Sequence, residues 1–599
     1  TAPLPFYTIA HGNFHDDTVW LPDQGVPSRP WSRVLINHMI DFHGRDTLES
    51  LVVNLNADID IQAGAGLTVN GQLESIPGQS GIILRSDSSG AGSLIHSTPG
   101  VAATILHYLR ADTWHHFSPP VSTALSGIFS GLWLLPYNEP AGTWGNYITQ
   151  TGMLLTPARG YAVWSSSAYT GNHTLYVQGL MNQGGLSSPL LTNSATDKVF
   201  RGYNFIGNPY PSGLDWEGQG WDKSNINSAL YVYDALQQNY RTYVNGTGVN
   251  GGSRYIPPMQ GFFVRVRPQQ VTGMLTFSNA SRMHPPQNPS IPIVAPEIPT
   301  LSLKAENLST NYSDETRLNF GGDWNPGADP MHDATKLFSG SNNVPQLWSL
   351  TPDSAQTPMA ISHLGDFLQP LTIPLSFDPM VSGSFRLSLE QMSNIGTATE
   401  ILLEDVINQS ITNIRDTNQV YFTANINDTS RRFLLHIDPT GFSGRLVYHR
   451  PGLPGLMGAR IEVQPVHPGG DTAILYTSSN GNFMHPGPDT GRYVLHAFPP
   501  EVGHEGAVNA LDALLIARSF SGLHALDSLQ SLAADVNGDG SINATDALMA
   551  ARRFAQLIPS FPAGEWVAEK PDVHIVNQDI TGLLFRTLLR GDVNGSYSP

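Results

Sequence analysis

Residues 533–554, AADVNGDGSINATDALMAARRF, place oxygen-bearing side chains at Asp535, Asn537, Asp539, Ser541, Asn543 and Asp546, with Gly540 at the sixth position of the run. A hard divalent cation such as Ca2+ takes about six to eight oxygen ligands. A dozen residues can supply them only by turning sharply midway, where glycine has no Cβ to obstruct the turn. The spacing reads as a calcium loop, and the ALMAARRF that follows reads as a helix.

Such loops usually come in pairs, and half of a second is visible upstream. NALDALLIARSF at 509–520 repeats NATDALMAARRF, so that Asn509 matches Asn543, Asp512 matches Asp546, Arg518 matches Arg552 and Phe520 matches Phe554. The residues ahead of it are poor ligands, because the first, third and fifth positions fall on Glu501, Gly503 and Glu505. The chain closes with GDVNGSYSP, in which Asp592-Val593-Asn594-Gly595 repeats Asp535-Val536-Asn537-Gly538. The expectation is a second, split calcium site: Asp592, Asn594 and Ser596 fold back against Asn509 and Asp512, giving two ions per chain and pinning the carboxy terminus.

These residues resemble a type I dockerin, in which duplicated calcium loops carry Asp at position twelve. The resemblance covers about the last hundred residues. It implies bound Ca2+ and a cohesin-like partner, contacted in that family through loop positions ten and eleven, here Ala544-Thr545 and Ala510-Leu511. The segment 441–498 resembles small Ig-like modules related to carboxypeptidase regulatory domains; it has no lysine, which excludes the Lys–Asn isopeptide bond of some relatives. An Ig-like module followed by a dockerin is similar to the paired arrangement of some cellulosomal scaffolds. GYNFIGNPYPSGLDW, YIPPMQGFFVRV, NVPQLWSL and GDVNGSYSP resemble large surface proteins exported by the type IX route. Those often continue into further domains, so a chain cut after Pro599 is expected. Asp-Thr/Ser-apolar triplets resembling their O-glycosylation sites occur at Thr18, Thr47, Ser354, Thr472 and Ser528.

The elements that must carry these residues are mostly strands. Cysteine is absent, so neither disulfides nor thiolates brace the chain. A formal net charge of -18 argues against nucleic-acid binding, which rests on a basic face. Only 13% of residues are charged, against 58 Gly and 45 Pro, and turn-punctuated alternating runs dominate outside the last hundred residues. No run of about 18 apolar residues is present to span a membrane as a helix. The chain starts at Thr1 without a signal sequence and reads as processed.

Residues 1–110 contain LVVNLNADIDIQAGAGLTVNGQLES, with Leu55, Ile59, Ile61, Leu67 and Val69 recurring among Asn, Asp and Gly, which predicts a solenoid-like β region. Residues 111–283 read as a duplicated β domain. WHHFSPPV from Trp114 aligns with YNFIGNPY from Tyr203, YNEPAGTW from Tyr137 with YDALQQNY from Tyr233, LTPARGYAVW from Leu155 with IPPMQGFFVR from Ile256, and TLYVQG from Thr174 with MLTFSN from Met274. Residues 284–300 predict a Pro-rich linker. Beyond it are expected a separate β-sandwich at 301–438, an Ig-like module at 439–500 and an α-helical dockerin-like domain at 501–599. The fold class is mainly β and multidomain.

Enzyme signals are thin. No lysine follows a glycine, so no phosphate-binding GK[ST] loop exists, and neither HExxH nor GxSxG occurs. His115-His116 on a strand would point to opposite faces, and His11 with His15 and Asp16-Asp17 reads as ordinary loop. Trp133, Trp144, Trp164 and Trp216 could stack on sugars but more commonly build cores. The sequence thus reads as a secreted, non-catalytic surface, adhesive or filament-forming protein, with self-association or a glycan or cohesin-like partner, and no nucleic acid or membrane span. The alternatives are a carbohydrate-binding or carbohydrate-active protein docked to a scaffold, and a stalk fragment of a longer secreted protein.

Overall fold

The structure, a computed structural model, describes residues 4–598 except 22–24, 76–80, 169, 287–297, 322–326, 366–369, 396–398, 439–440, 467–471, 487–490, 501–505 and 576–579. The amino-terminal region is a stack of parallel strands in three sheets. One runs through Phe6–Tyr7, Arg33–Ile36, Ser50–Val53 and Leu73–Ser75; the second through Gly12–Asn13, Met39–Phe42, Asp58–Ile61, Ile82–Leu84 and Ala102–Leu109; the third through Arg45–Leu48, Gly66–Val69 and Ser93–Ile95. Successive coils align like on like: Ile40 pairs with Ile59 and Ile59 with Ile82, each at most 1% exposed. Because side chains alternate across a strand, the intervening Asp41 and Asp60 face outward. The expected boundary near 110 does not hold. His173–Leu180 pairs antiparallel with Ala102–Leu109, covering what would be an open edge, and the core runs on through Phe117, Phe129 and Val163 to Met259.

The two halves of 111–283 share register as well as sequence. Trp114 pairs with Trp164 as Tyr203 pairs with Arg265, and Pro136 with Tyr161 as Val232 with Phe262. Ala158 (φ 61°) and Met259 (φ 59°) adopt the same left-handed turn two residues before Gly160 and Gly261. A Cβ at Gly160 would lie 2.7 Å from the Ile206 carbonyl oxygen, so the close approach of the halves requires glycine there. Contacts between the halves are reciprocal: Ser118 N donates to Met259 O (2.7 Å) and Gly207 N to Ala158 O (3.2 Å), while Phe117 bridges Gln260 and Arg159 bridges Ile206. The repeats therefore pack about an approximate two-fold axis.

At the start of the Pro-rich segment, His284 hydrogen-bonds Ser93 Oγ (2.7 Å) and Thr68 Oγ1 (2.9 Å); most of the predicted linker lies outside the described residues. The 301–438 unit is an eleven-stranded sheet whose ends meet: Phe422, in the strand at one end, packs on Phe433 from near the other (5.1 Å). It is not the separate sandwich expected. Tyr203 and Tyr231 of the second repeat hydrogen-bond Thr335, and the buried Asp314, ion-paired with Lys336, accepts side-chain amides from Asn239 and Asn250 (both 2.9 Å).

The region from Gly441 to the carboxy terminus also departs from the expected division. Two four-stranded sheets face one core. The first is ordered Asn482–Pro486, Gly441–Tyr448, Ile580–Leu589, Trp566–Ala568, and the second Ala473–Tyr476, Arg460–Pro465, Gly491–Phe498, Asp572–Ile575. Three of these eight strands follow the helices in sequence. The 439–500 module is thus completed by residues assigned to the 501–599 domain, and the helices are inserted between its strands.

One buried carboxylate ties the repeats together. Glu139, 4% exposed, accepts hydrogen bonds from Thr192 Oγ1 (2.6 Å), Ser194 N (2.9 Å), Ala195 N (3.1 Å) and Gly202 N (2.8 Å). Burial alone would raise its pKa, but the Thr192 hydroxyl and the amides outweigh burial and hold it below the usual carboxylate value. This stabilisation is present above the unfolded-state pKa and is lost as pH falls through the lower folded-state value. Glu139→Ala strands these donors and should cost about 3 kcal/mol, read as an earlier calorimetric transition of the amino-terminal half at pH 7. An unchanged transition would refute it.

Candidate metal centres

The helix Ala544–Phe554 begins with a capping box: Asn543 Oδ1 accepts from Thr545 N (2.8 Å) and Asp546 Oδ2 from Asn543 N (3.0 Å). The other oxygen of Asp546 reaches back to Val536 N (3.1 Å) and Asn537 N (3.3 Å), closing the loop. At the loop's start Asp535 accepts from Gly538 N (2.8 Å), Asp539 N (3.2 Å) and Gly540 N (2.9 Å). Gly538 and Gly540 turn in the left-handed region (φ 75° and 85°). These bonds shape the loop before any cation arrives, and the ionised carboxylates keep lone pairs for one. Among the described residues no three carboxylate or imidazole side chains form a ready cluster. The loop instead mixes Asp535, Asp539 and Asp546 with Asn537, Ser541 and Asn543, the neutral-and-anionic oxygen set that suits calcium.

The structure brings the predicted split residues together. Asn509 and Asp512 form the matching capping box on the helix Ala510–Phe520. Asn594 N donates to Asp512 Oδ1 (3.0 Å), as Asn537 N does to Asp546. Ser596 N donates to Asp592 Oδ1 (2.9 Å), as Asp539 N does to Asp535, and Asn509 Nδ2 donates to Ser596 Oγ (2.9 Å). Two contributors went unread in the sequence. Gly506 (φ 86°) supplies the corner that Gly540 makes in the first loop, and the Ala507 carbonyl, reached by Ser596 Oγ at 3.3 Å, stands where Ser541 stands. Their signal was available, since both precede their counterparts by the same interval that separates Asn509 from Asn543.

Asp512 and Asp592 are fully buried. Burial, with the neighbouring Asp592 charge adding, pushes the Asp512 carboxyl up to about 7 despite the amides from Asn509 and Asn594. The Asn594 Oδ1 atom is buried without a hydrogen-bond partner among the described residues. Two buried carboxylates and an orphaned oxygen leave an excess of acceptor capacity that a cation fits.

This second centre is welded to the sheets. Tyr448, on the strand Gly441–Tyr448, donates its hydroxyl to Asp592 Oδ2 and accepts from Leu589 N (3.3 Å). Arg590 donates to the carbonyls of Asp535 (2.7 Å) and Leu532 (2.8 Å), so the residue next to the sheet's last strand also touches the first loop. Gln530 Nε2 holds Val593 O at 2.9 Å. Solvent meets a repeated apolar surface on the helices and the turns that follow them: Leu514 and Leu548, Phe520 and Phe554, Leu523 and Leu557 are equivalent pairs, each 45–71% exposed. Ala510, Leu511, Ala544 and Thr545 are exposed as well.

A family model described as a domain of unknown function (DUF8693) matches residues 7–437. The chain belongs to the DUF8693 family. Its domain takes in the coils, both repeats and the eleven-stranded unit, regions that share hydrophobic clusters here. A second model, the type I dockerin domain, matches 502–555. That span holds both calcium-type helices and the first loop but stops short of Asp592. A type I dockerin carries calcium, a cohesin-type partner and an extracellular setting with it. No curated protein matches. Among solved structures, the Bacillus anthracis TIE protein is 8% identical over 80% of this chain and 70% of its own, at a TM-score of 0.12. The pilus adhesin SpaC from Lactobacillus rhamnosus GG is 11% identical over 65% of this chain and half of its own, at 0.09. Neither likeness carries an argument.

The remaining candidates scatter. Trp216 is buried, whereas Trp133 (48% exposed), Trp164 and Trp114 form a row across three strands and Trp144 is partly exposed. His15 pairs with Asp46 (2.7 Å), His11 accepts from Met39 N (2.9 Å), and Asp16 turns onto Thr18, so these residues build no shared site. Of the O-glycosylation candidates, Thr18, Ser354, Thr472 and Ser528 are exposed and Thr47 is half-buried on a strand. Among the described residues no helix is long and apolar enough to cross a membrane.

Because Asp592 is bonded to Tyr448, chelation of the chain's calcium should increase hydrogen exchange in the helices and in the strands Ile580–Leu589 and Gly441–Tyr448 together, leaving the coil strands of 33–109 protected. Full retention of protection at Ile580–Leu589 would show that the centre and the sheet are uncoupled.

Proposed function

We propose that this protein is a non-catalytic extracellular surface component, exported by the type IX route, that presents its β-rich DUF8693 domain in an adhesive or filament-forming role while its helical module docks on a cohesin-type partner. The observation that carries the reading is the dockerin match lying over one complete loop, the helix-side half of a second with equivalent internal geometry, and a duplicated, exposed apolar helix face. Duplicated apolar side chains on a small calcium-braced module are what a partner surface needs, since buried aromatic and aliphatic anchors dominate interface energetics. The type IX assignment draws on the motif likeness, and the exposed Asp-Thr/Ser triplets would carry glycans.

Calcium occupies two centres in this reading. Asp535, Asn537, Asp539, Ser541, Asn543 and Asp546 hold the first ion; Asp592, Asn594, Ser596, Asn509 and Asp512 hold the second. Calcium here supplies charge compensation and folding free energy, in place of the absent disulfides. Calorimetric titration of the calcium-free chain should give two ions, falling to one in Asp535→Ala and to one in Asp592→Ala. Two ions in the latter variant would remove the split site.

Docking is tested by surface binding to a panel of cohesins with and without calcium. Leu514→Asp combined with Leu548→Asp should weaken capture by more than about tenfold, equivalent to about 1.4 kcal/mol, without changing calcium stoichiometry. Electron microscopy of the calcium-loaded protein tests assembly: ordered filaments or sheets support the structural role, and isolated beaded monomers at all concentrations count against it.

A further inference from the structure

Between the coil stack and the second repeat lies a groove of about 1480 Å3. Pockets for single small molecules run to roughly 300–1,000 Å3, so this one is sized for an extended ligand. The groove does not share the acidic balance of the molecule. In a chain of net charge -18, four guanidinium groups border the groove, on Arg45, Arg110, Arg241 and Arg254, against two carboxylates, Asp87 and Asp234. Arg241 is held by Asp234, and Arg254 by Asp215 and Glu217 outside the lining. Asp87 is turned onto Ser89, accepting its N–H (2.7 Å) and hydroxyl (2.6 Å). The side chains of Arg45 and Arg110 have no hydrogen-bond or ion-pair partner among the described residues, so two unpaired cations remain on the wall against one unpaired carboxylate, Asp87, which only the neutral Ser89 holds.

The floor is aromatic and polar. His116, only 4% exposed, lies against Tyr233 with ring centroids 4.8 Å apart and planes 27° off parallel. Its Nδ1 has no partner among the described residues although the side chain lines the groove. Burial keeps His116 neutral and encloses its Nδ1, so it adds a ring but no charge to the floor. Tyr108 and Tyr255 line it as well; Ser86 Oγ already accepts from Tyr108 N (3.2 Å), Asn172 Oδ1 from Ala111 N (3.0 Å), and Gln260 Nε2 donates to the His116 and Gly261 carbonyls, which leaves the Ser86 hydroxyl proton, the Asn172 amide N–H groups and Gln260 Oε1 for a ligand.

The geometry points to a binding site for an acidic oligosaccharide. Flat rings take the C–H faces of sugars, the hydroxyl and amide side chains take their hydroxyls, and Arg45 and Arg110 take carboxylate or sulfate groups in the forked geometry peculiar to guanidinium. An acidic peptide would satisfy the cations but would leave the dense polar lining short of partners, because extended peptides are gripped chiefly through main-chain ladders and apolar pockets. The site lies within residues 43–286 and stands apart from the docking reading, which could fail without affecting it.

The test is binding of the intact, calcium-loaded chain to an array of uronic-acid, sialylated and sulfated oligosaccharides, their neutral counterparts and hexaglutamate. Acidic members should be retained at least about tenfold more tightly than their neutral counterparts, with retention falling as salt rises from about 0.05 to about 0.5 M. Arg45→Ala with Arg110→Ala should abolish that preference at an unchanged melting temperature. Arg110→Gln, at an exposed position, serves as the second variant should the pair fail to fold, and should itself weaken binding severalfold. Retention of no acidic sugar, equal retention of neutral ones, tighter binding of hexaglutamate, or unaffected variants would each overturn the assignment.

Discussion

The bond from the Tyr448 hydroxyl to the Asp592 carboxylate fixes the architecture of the chain from Gly441 onward. A buried carboxylate is costly to desolvate unless donors surround it. Asp592 finds them in Tyr448, in the amides of Ser596 and Tyr597 and in the Ser596 hydroxyl, while the neighbouring Asn594 N donates to Asp512 of the dockerin-type half-loop at 506–512. Satisfying that one charge forces the chain's end to lie simultaneously against the sheets and against the first helix. The helical module is consequently a feature embedded in the sandwich.

Much of the candidate centre was legible in the sequence because calcium chemistry is written in residue types at fixed spacing. Asp535 through Asp546 could be read directly, and the split partners followed from the recurrence of Asp-Val-Asn-Gly at 592–595. What escaped is carried by backbone: the corner at Gly506 and the carbonyl of Ala507 have no distinctive side chain, and only the repeat interval marks them. Tyr448 was invisible for a different reason, since it stands 144 residues from the carboxylate it supports and nothing in its local pattern marks that contact.

The fold was legible where the periodicity was local and lost where pairing was distant. Alternation around Ile59 and Ile61 announced the coils, and the internal repeat announced the shared registers of the two halves. Boundaries were misplaced at 110, 301 and 500 for one physical reason. At each, a strand or an aromatic cluster from one region completes another: His173–Leu180 closes the coil stack, Tyr203 and Tyr231 lean on Thr335, and Ile580–Leu589 enters beside Gly441–Tyr448. Sequence patterning reports that a face must be buried but not which segment will bury it.

The parallel pairing of Phe442 with Ile580 and of Tyr448 with Thr587 carries a consequence for the chain's biogenesis. As the polypeptide grows, Gly441–Tyr448 is finished long before its neighbour exists, and it must wait as an unpaired apolar edge, the kind of strand that invites misassociation. The sandwich can close only once the final strand is made, so a chain stopped between residues 555 and 580 would contain every helix of the docking module yet lack the strand that joins them to the sheet.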